Sequence, residues 1–570
     1  MRLRLTPALL LAGIALVEYL LPWRTTGRAL TFALAALLTA RFVAQSVTNL
    51  RAAARVWGVL RTRFLELGLT LAALVLLTSK ATVWVEILGP AAPPTLDRVY
   101  RQYAAAFLVV AGLRMVAGEF PVRRILHRLQ LQPAQTVAVG FLGTILAGTL
   151  LLSLPLAVER LEDLSLLDAF FTATSAVTVT GLIVYDPGTF HTPFGQAVVL
   201  VLIQLGGLGT MAASASLVVL AGRRLRLDRS AALQESMDLE TLAHVRGQLK
   251  TLIGVTLAAE ALGALALYLV WRDRPGLEAP LFAAVFHAVS SFCNAGFSTF
   301  ATGLTAFRDD HATTAVVMLL IVAGGLGFPV LRVLGGAAVR VWSRRRVPLL
   351  TLHARLTLTT TAVLLAGGTL ATALLEWRGA LAPLAWPGRL LAALFLSVTA
   401  RTAGFNTVDT AALGPATLWL LMVLMFVGGS PGSTAGGVKT TTVATVVATL
   451  WATLNGRAGV DAFRRTIPEE QVTKALALIG VSGATVALAI LALLATQAGE
   501  PLGLTFEAVS AFGTVGLSTN LTPTLDAWGK AVVIAVMFIG RTGPLTLGFA
   551  LAARARRRRI VYPPEKIMIG

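Results

Sequence analysis

Four short phrases recur along this chain, each opening on serine and closing around a glycine. They are SAVTVTGLI (Ser175 to Ile183), SSFCNAGFS (Ser290 to Ser298), SVTARTAGFN (Ser397 to Asn406) and SAFGTVGLS (Ser510 to Ser518). Their central glycines, Gly181, Gly296, Gly404 and Gly516, lie 115, 108 and 112 residues apart. The three-residue cores are Val179-Thr180-Gly181, Asn294-Ala295-Gly296, Thr402-Ala403-Gly404 and Thr514-Val515-Gly516, and none contains an acidic residue. Rings of carboxylates, the side-chain device of cation pores, are therefore absent from these positions. What remains is backbone. Glycine permits dihedrals that aim successive carbonyls the same way, and rings of carbonyls can replace the hydration shell of a monovalent cation. These twelve core residues are the candidate ion-binding set.

The elements that must position them are membrane helices. Of 570 residues, 56% are apolar and only 13% charged, with a mean hydropathy of +0.76, whereas soluble domains carry about 25% charged residues. The apolar residues gather in runs near the roughly 20 residues that cross a bilayer. A period above 100 residues is too long for a solenoid and reads as one membrane module copied four times. Each copy has an outer helix (near 136–158, 250–271, 350–376 and 471–497). A half-length apolar stretch follows (166–177, 279–292, 386–399, 503–512), then the phrase, then an inner helix (193–221, 312–341, 412–451, 526–553). The half-helices are too short to cross the hydrocarbon. The non-helical backbone after them must be buried in protein or line a watery path, and their C-terminal ends would bring partial negative charge to it.

The expected fold is an all-α integral membrane protein with four helix–half-helix–loop–helix pore modules in pseudo-four-fold symmetry. About four N-terminal transmembrane helices (near 7–22, 28–46, 64–91 and 103–117) precede them. The corresponding domains are an extension over 1–130, modules over 131–247, 248–347, 348–466 and 467–553, and a basic tail over 554–570.

The formal net charge is +20. The basic residues cluster at 51–63, 123–128, 223–229, 340–346, 457–465 and 554–559, at the ends of apolar segments and in alternate loops. That is the positive-inside pattern, which places the N-terminus in the cytoplasm and makes the chain a multi-pass protein of the cytoplasmic (inner) membrane. It accounts for the charge without nucleic acid, and attraction to anionic lipid headgroups accounts for the basic loops. A single cysteine, Cys293, rules out an intrachain disulfide and a Cys-based metal framework. A membrane enzyme would need Asp, Glu or His clustered at one membrane face, and the sequence has no such cluster. GLGTMA (Gly207 to Ala212) lies in a membrane helix with no preceding strand, and Val438 separates Gly437 from Lys439, so neither nucleotide-binding pattern is met. No cofactor is expected.

A second element stands out inside the third inner helix. Gly428, Gly429, Ser430, Pro431, Gly432, Ser433, Thr434, Ala435, Gly436 and Gly437 cannot sustain a regular helix. A mid-membrane break is expected there, and in that module alone; a flexible loop under the filter could serve as a gate, or the segment could be a packing kink. Arg541, midway along the last inner helix, costs about 2.5–3.5 kcal/mol in the hydrocarbon on insertion scales and should face the interior. Lys439 either belongs to the same region or snorkels to the interface. Glu260 is an intramembrane acid, either functional or ion-paired between helices. His287 reads as a packing or hydrogen-bonding residue, and Cys293 as a wall residue of the second phrase.

These phrases, together with TPFGQ (Thr192 to Gln196), LIQLGGLGTM (Leu202 to Met211) and GGSPGSTAGGVKTTT (Gly428 to Thr442), resemble those of a known family. The family is the potassium-translocating subunits of bacterial Trk and Ktr uptake systems, with related plant and fungal transporters. The resemblance covers roughly 130–560. It implies a potassium filter at the four glycine phrases, Gly at all four centres being the potassium-selective pattern, and a gate at residues 428–437 with Arg541 pointing into the pore below the filter. Arg401 matches the family's third filter phrase, as a brace of the loop. The resemblance further implies potassium as the transported ion, a homodimer, and a cytoplasmic ring of nucleotide-binding regulatory subunits. A sodium-conducting relative, or a symporter coupling potassium to sodium or protons, is the alternative. The four-span N-terminal extension departs from the family pattern.

Overall fold

The computed structural model describes residues 133–159, 165–223, 231–275, 277, 279–342, 350–457 and 459–543. The expected N-terminal spans and the basic tail lie outside the described residues. Fourteen helices carry most of the described chain, which is all-α as expected. The first module contains α1 (Pro133–Leu152), the half-helix α2 (Leu166–Thr178) and α3 (Pro193–Arg223). The second contains α4 (Ala231–Trp271), α5 (Pro280–Cys293), α6 (His311–Leu326) and α7 (Phe328–Trp342). The third contains α8 (Leu352–Glu376), α9 (Trp386–Thr399), α10 (Pro415–Phe426) and α11 (Thr440–Leu454), and the fourth α12 (Glu469–Thr496), α13 (Pro501–Gly513) and α14 (Ala527–Thr542). The basic stretch 457–465 ends in a tight antiparallel pair, β1 (Asp461–Ala462) and β2 (Arg465–Thr466). Phe463 (φ 52°) and Arg464 (φ 61°) supply the two left-handed residues of its turn.

By internal contacts the chain falls into two sets. The smaller set includes 146–170 and 188–198. There Val158 bridges His191, and Thr192 Oγ1 donates to the Leu156 carbonyl at 2.5 Å. The larger set, 131–145, 171–187 and 199 onward, contains all four glycine phrases and the glycine-rich loop.

The half-helices are cut short by local chemistry. Proline occupies the first turn of α5, α9 and α13, where a missing N–H costs nothing. Before α2, Ser165 Oγ accepts from the Asp168 N–H at 3.1 Å and donates to the Asp168 carboxylate at 2.7 Å. At the other end Asn294 (φ 60°) and Thr514 (φ 49°) take the left-handed conformation that stops α5 and α13. Burial separates the classes of helix. From Gly503 to Gly513 every residue of α13 except Thr505 is buried, whereas strongly apolar α12 and α8 are only 17% and 22% buried over their spans. Exposed leucines such as Leu374 and Leu488 (73% and 67%) suit a hydrocarbon surround. Among the described residues five helices are long and apolar enough to span a membrane, or six if the bent pair α6–α7 counts as one.

The inner helices differ from expectation in two places. The third module breaks between α10 and α11, as its composition requires. The second also breaks: α6 and α7 meet at 108° through Gly327, whose φ of 84° no α-helix accommodates. Pro329 follows in the first turn of α7. The restriction of the break to the third module is therefore wrong. The fourth inner helix is likewise interrupted after Thr542, at Gly543 (φ 86°) and ahead of Pro544, and the rest of its expected span to 553 lies outside the described residues. A glycine followed within two residues by proline carries this signal, and a hydropathy reading passes over it because the flanking residues are apolar. In the second module α4 starts at Ala231, well before the apolar run, because ALQESMDLETLAHV consists largely of helix formers.

The start of α6 is a test of this local chemistry. Asp310 accepts from the Ala312 and Thr313 N–H groups at 3.1 Å and from Thr313 Oγ1 at 2.8 Å, and pairs with Arg274 at 3.3 Å. Asp310→Ala is expected to destabilise the protein by about 1 kcal/mol, measured as a lowered melting temperature in detergent.

Candidate functional site

The four phrases share one backbone geometry. The first core residue is left-handed in each: Val179 (φ 56°), Asn294 (60°), Thr402 (71°) and Thr514 (49°). The glycine two residues on is left-handed again, at 88°, 70°, 77° and 94° for Gly181, Gly296, Gly404 and Gly516, while the residue between is not. In a strand, successive carbonyls point to opposite sides. This alternation of left-handed and ordinary dihedrals removes that feature and depends on glycine at the third position.

The glycines also pack in a closed cycle. A methyl group on Gly181 would overlap the Ala295 carbonyl oxygen, and one on Gly296 would stand 2.7 Å from that of Ala403. One on Gly404 would overlap the Val515 oxygen, and one on Gly516 the Thr180 oxygen. Module one thus abuts two, two abuts three, three abuts four, and four abuts one. The four loops surround one axis.

Each loop is tied to its own half-helix. The N–H groups of Thr180, Ala295, Ala403 and Val515 donate to the carbonyls of Ser175, Ser290, Thr399 and Ser510, at 2.7 to 2.9 Å. The same four residues give their hydroxyls to the loop. Ser175 Oγ and Ser510 Oγ accept from the N–H of Gly181 (3.1 Å) and Gly516 (3.2 Å). Ser290 Oγ and Thr399 Oγ1 donate to the carbonyls of Phe297 (2.8 Å) and Phe405 (2.6 Å). In the third phrase the anchor is thus Thr399, two residues after the serine that opens it; Ser397 instead donates to the Leu365 carbonyl of α8 at 3.0 Å. Glycines of the inner helices back the ends of the half-helices: side chains at Gly206, Gly324 and Gly540 would run into the carbonyls of Val177, Phe292 and Phe512.

A cavity of about 760 Å³ opens on one side of the ring. All four core glycines line it, with Ser298, Asn406, Ser518, Asp186 and Asp409. The glycine-rich loop lies at the other end, where Gly436 packs against the Thr514 side chain and Thr434 Oγ1 donates to the Phe292 carbonyl at 3.0 Å.

Three cationic side chains grip that loop. Arg541 donates through Nη1 to the Thr434 carbonyl, and through Nη2 to the Gly206 carbonyl (3.2 Å) and to Thr210 Oγ1 (3.1 Å) on α3. Arg401 Nη2 donates to the Gly428 carbonyl at 3.3 Å. Lys439 Nζ donates to the carbonyls of Ala435 (2.6 Å) and Gly436 (3.4 Å), so it turns into the loop instead of toward an interface. Backbone bonds complete the hold. The N–H groups of Ser430 and Thr434 donate to the Gly325 and Gly324 carbonyls, and Phe328 N–H to that of Gly432. Ser433 Oγ accepts from the Ala435 N–H at 3.3 Å. At Gly327 a side chain would meet the Pro431 oxygen at 2.8 Å.

The family model described as TrkH: Cation transport protein matches residues 98–555. This chain belongs to that family. Its relatives include the Ktr system potassium uptake protein B of Bacillus subtilis (strain 168), 38% identical over 78% of this chain and 99% of that protein. The Vibrio alginolyticus protein of the same description is 39% identical over 76% of this chain and 94% of its own length. The potassium/sodium uptake protein NtpJ of Enterococcus hirae is 38% identical over 78% and 98%. The crystal structure of the potassium transporter TrkH from Vibrio parahaemolyticus has the same fold, with a TM-score of 0.61 at 19% identity over 86% of this chain and 98% of that one.

Within this family member the structure brings all twelve core residues to one ring and all ten loop residues, with Arg541, to one end of it. Glu260 is buried beside them without an ion pair among the described residues; it accepts from Gln204 Nε2 at 3.2 Å and lies 3.7 Å from Cys293 Sγ. Cys293 itself is a buried wall residue against Gly207. Two functional positions escape a reading of the sequence alone: Thr399 as the third anchor and Gly327 as a break. A hydroxyl six residues before the glycine is a usable signal in three phrases, but in the third that position is Val398 and the anchor is five residues before Gly404. If Arg541 ties down the loop, Arg541→Ala should raise the maleimide labelling rate of a cysteine placed at Ser433, in a Cys293→Ser background, by about tenfold.

Proposed function

We propose that this chain takes up potassium across the cytoplasmic membrane, with ions passing single file through the ring of Gly181, Gly296, Gly404 and Gly516. The observation that carries this reading is the closed cycle of four glycines against four carbonyls, with no acidic side chain in the cores. Ion contacts then fall to the backbone of Val179 to Gly181, Asn294 to Gly296, Thr402 to Gly404 and Thr514 to Gly516. Four half-helices ending at the ring add partial negative charge there and favour a cation. The relatives named as potassium uptake proteins support the choice of ion. An inside-negative potential supplies about 2.3 kcal/mol per charge per 100 mV, enough to draw the ion inward without ATP.

In this reading the modules are 131–247, 248–347, 348–466 and 467–553, and residues 428–437 are the gate. Arg541 is its bolt, bridging the loop to α3 and placing positive charge below the filter. A homodimer regulated by a cytoplasmic nucleotide-binding ring is part of the proposal, with the N-terminus and the basic loops on the cytoplasmic side. Sodium passage is the second reading, favoured by the relative named as a potassium/sodium uptake protein.

Expression in a strain lacking its potassium uptake systems should restore growth at limiting potassium; sodium flux without rescue would sink the assignment. Gly181→Ser should shift the flux ratio toward sodium, since the site strains any side chain. Arg541→Ala should raise unregulated potassium flux by about tenfold, on the scale of one lost charged hydrogen bond; unchanged flux and regulation would remove Arg541 from gating.

A further inference from the structure

The four-fold ring hides a two-fold difference at its mouth. In modules two and four, the residue nine before the core glycine reaches forward to the serine two after it. In module two His287 Nδ1 lies 2.8 Å from the Ala283 carbonyl and Nε2 lies 2.9 Å from Ser298 Oγ. Only the tautomer protonated on Nδ1 satisfies the carbonyl, so Nε2 accepts from the serine hydroxyl. In module four Glu507 takes the same place. Its Oε1 accepts from Ser518 Oγ and from the Thr519 N–H (3.0 Å), and its Oε2 from Thr522 Oγ1 (2.6 Å). The two serines play matching parts, for Ser298 Oγ accepts from the Phe300 N–H (2.9 Å) and Ser518 Oγ from the Asn520 N–H (3.0 Å). His287 and Glu507 are both fully buried, at 0% exposure.

Modules one and three lack this arrangement. Counted from the anchoring hydroxyl three residues on, the corresponding pairs are Thr172 with Ile183 and Leu396 with Asn406, and neither isoleucine nor leucine can form such a bond. Because the cycle of contacts runs one, two, three, four, the braced modules stand opposite one another across the axis. In the braced pair the core is tied to its half-helix at both ends, by Ser290 or Ser510 on the loop side and by His287 or Glu507 on the cavity side. Among the described residues this tie from half-helix to the serine after the glycine belongs to modules two and four.

We propose that His287 and Glu507 are positioning residues for ion selectivity, two acceptor braces that hold opposite walls of the ring at a fixed separation. The inference rests on the potassium reading above. A carbonyl ring discriminates against a smaller ion only while its walls resist closing onto it, and two opposite fixed walls suffice to set the aperture. Chemically different groups, an imidazole and a carboxylate, fill the role because the requirement is an acceptor facing a serine hydroxyl.

The test is potassium and sodium flux through the full-length protein in liposomes. The wild-type ratio is read first; no preference for potassium there defeats the potassium reading itself. Given a preference, Glu507→Gln should lower the potassium-to-sodium ratio about tenfold, with potassium flux retained. An amide offers one acceptor oxygen where Glu507 meets three donors. Ser518→Ala and Ser298→Ala, which remove only the donor and leave the half-helix intact, should lower the ratio about threefold each. Glu507→Asp, which keeps the acceptor, should retain more selectivity than Glu507→Gln, and Thr172→Val in an unbraced module should leave the ratio unchanged. An unchanged ratio in Ser518→Ala and Ser298→Ala overturns the proposal. So does a parallel fall of both fluxes in Glu507→Gln, which would make the brace merely structural.

Discussion

No side chain fits between one glycine phrase and the next. That single steric constraint organises the rest of the chain. Four backbones that approach this closely need glycine at the point of approach, and glycine in turn allows the repeated left-handed dihedrals found there. Backbone taken out of helical geometry in the membrane must satisfy its own polar groups. Hence each loop is preceded by a half-helix that ends at it and lends it a carbonyl and a hydroxyl. Half-helices cannot face lipid at their open ends, so outer and inner helices enclose them, and glycines such as Gly206, Gly324 and Gly540 let the inner helices come close enough to do so.

Much of this was legible in the sequence. The period of the phrases, the half-length apolar stretches and the Gly-Ser-Pro run inside an apolar segment each have a direct physical reading, and they correctly anticipated the all-α fold and the break after Phe426. The features that were missed turn on single residues. The second inner helix bends at Gly327 with Pro329 just after it, and of the three glycines at 324, 325 and 327 the sequence does not declare which takes a positive φ. Thr399 replaces Ser397 as an anchor because Ser397 lies seven residues before its glycine instead of six and the sixth position is Val398, a register that only the fold fixes. The partners of Lys439 and Arg401 were illegible for another reason: both are carbonyls of the loop, which look alike in every sequence.

The two ends of the ring are chemically opposed. Toward the cavity stand serine and asparagine side chains with Asp186 and Asp409 against one arginine, Arg308; toward the loop stand three cations, Arg541, Arg401 and Lys439. On the proposed reading a cation moves from a side that attracts it to a side that repels it, so the repelling side is where flow is most economically controlled.

The way the glycine-rich loop is seated bears on how it can move. It is held by α3 through Arg541, by the second module at Phe292, Gly324 and Gly325, by Arg401 of its own module, and by Thr514 of the fourth. It therefore works as a keystone does. A stone that bears on every side of an arch cannot be half withdrawn, because freeing one face unloads the others. Conductance governed by such a piece would change in steps, and the current through a single chain would be a two-level record with no intermediate plateau.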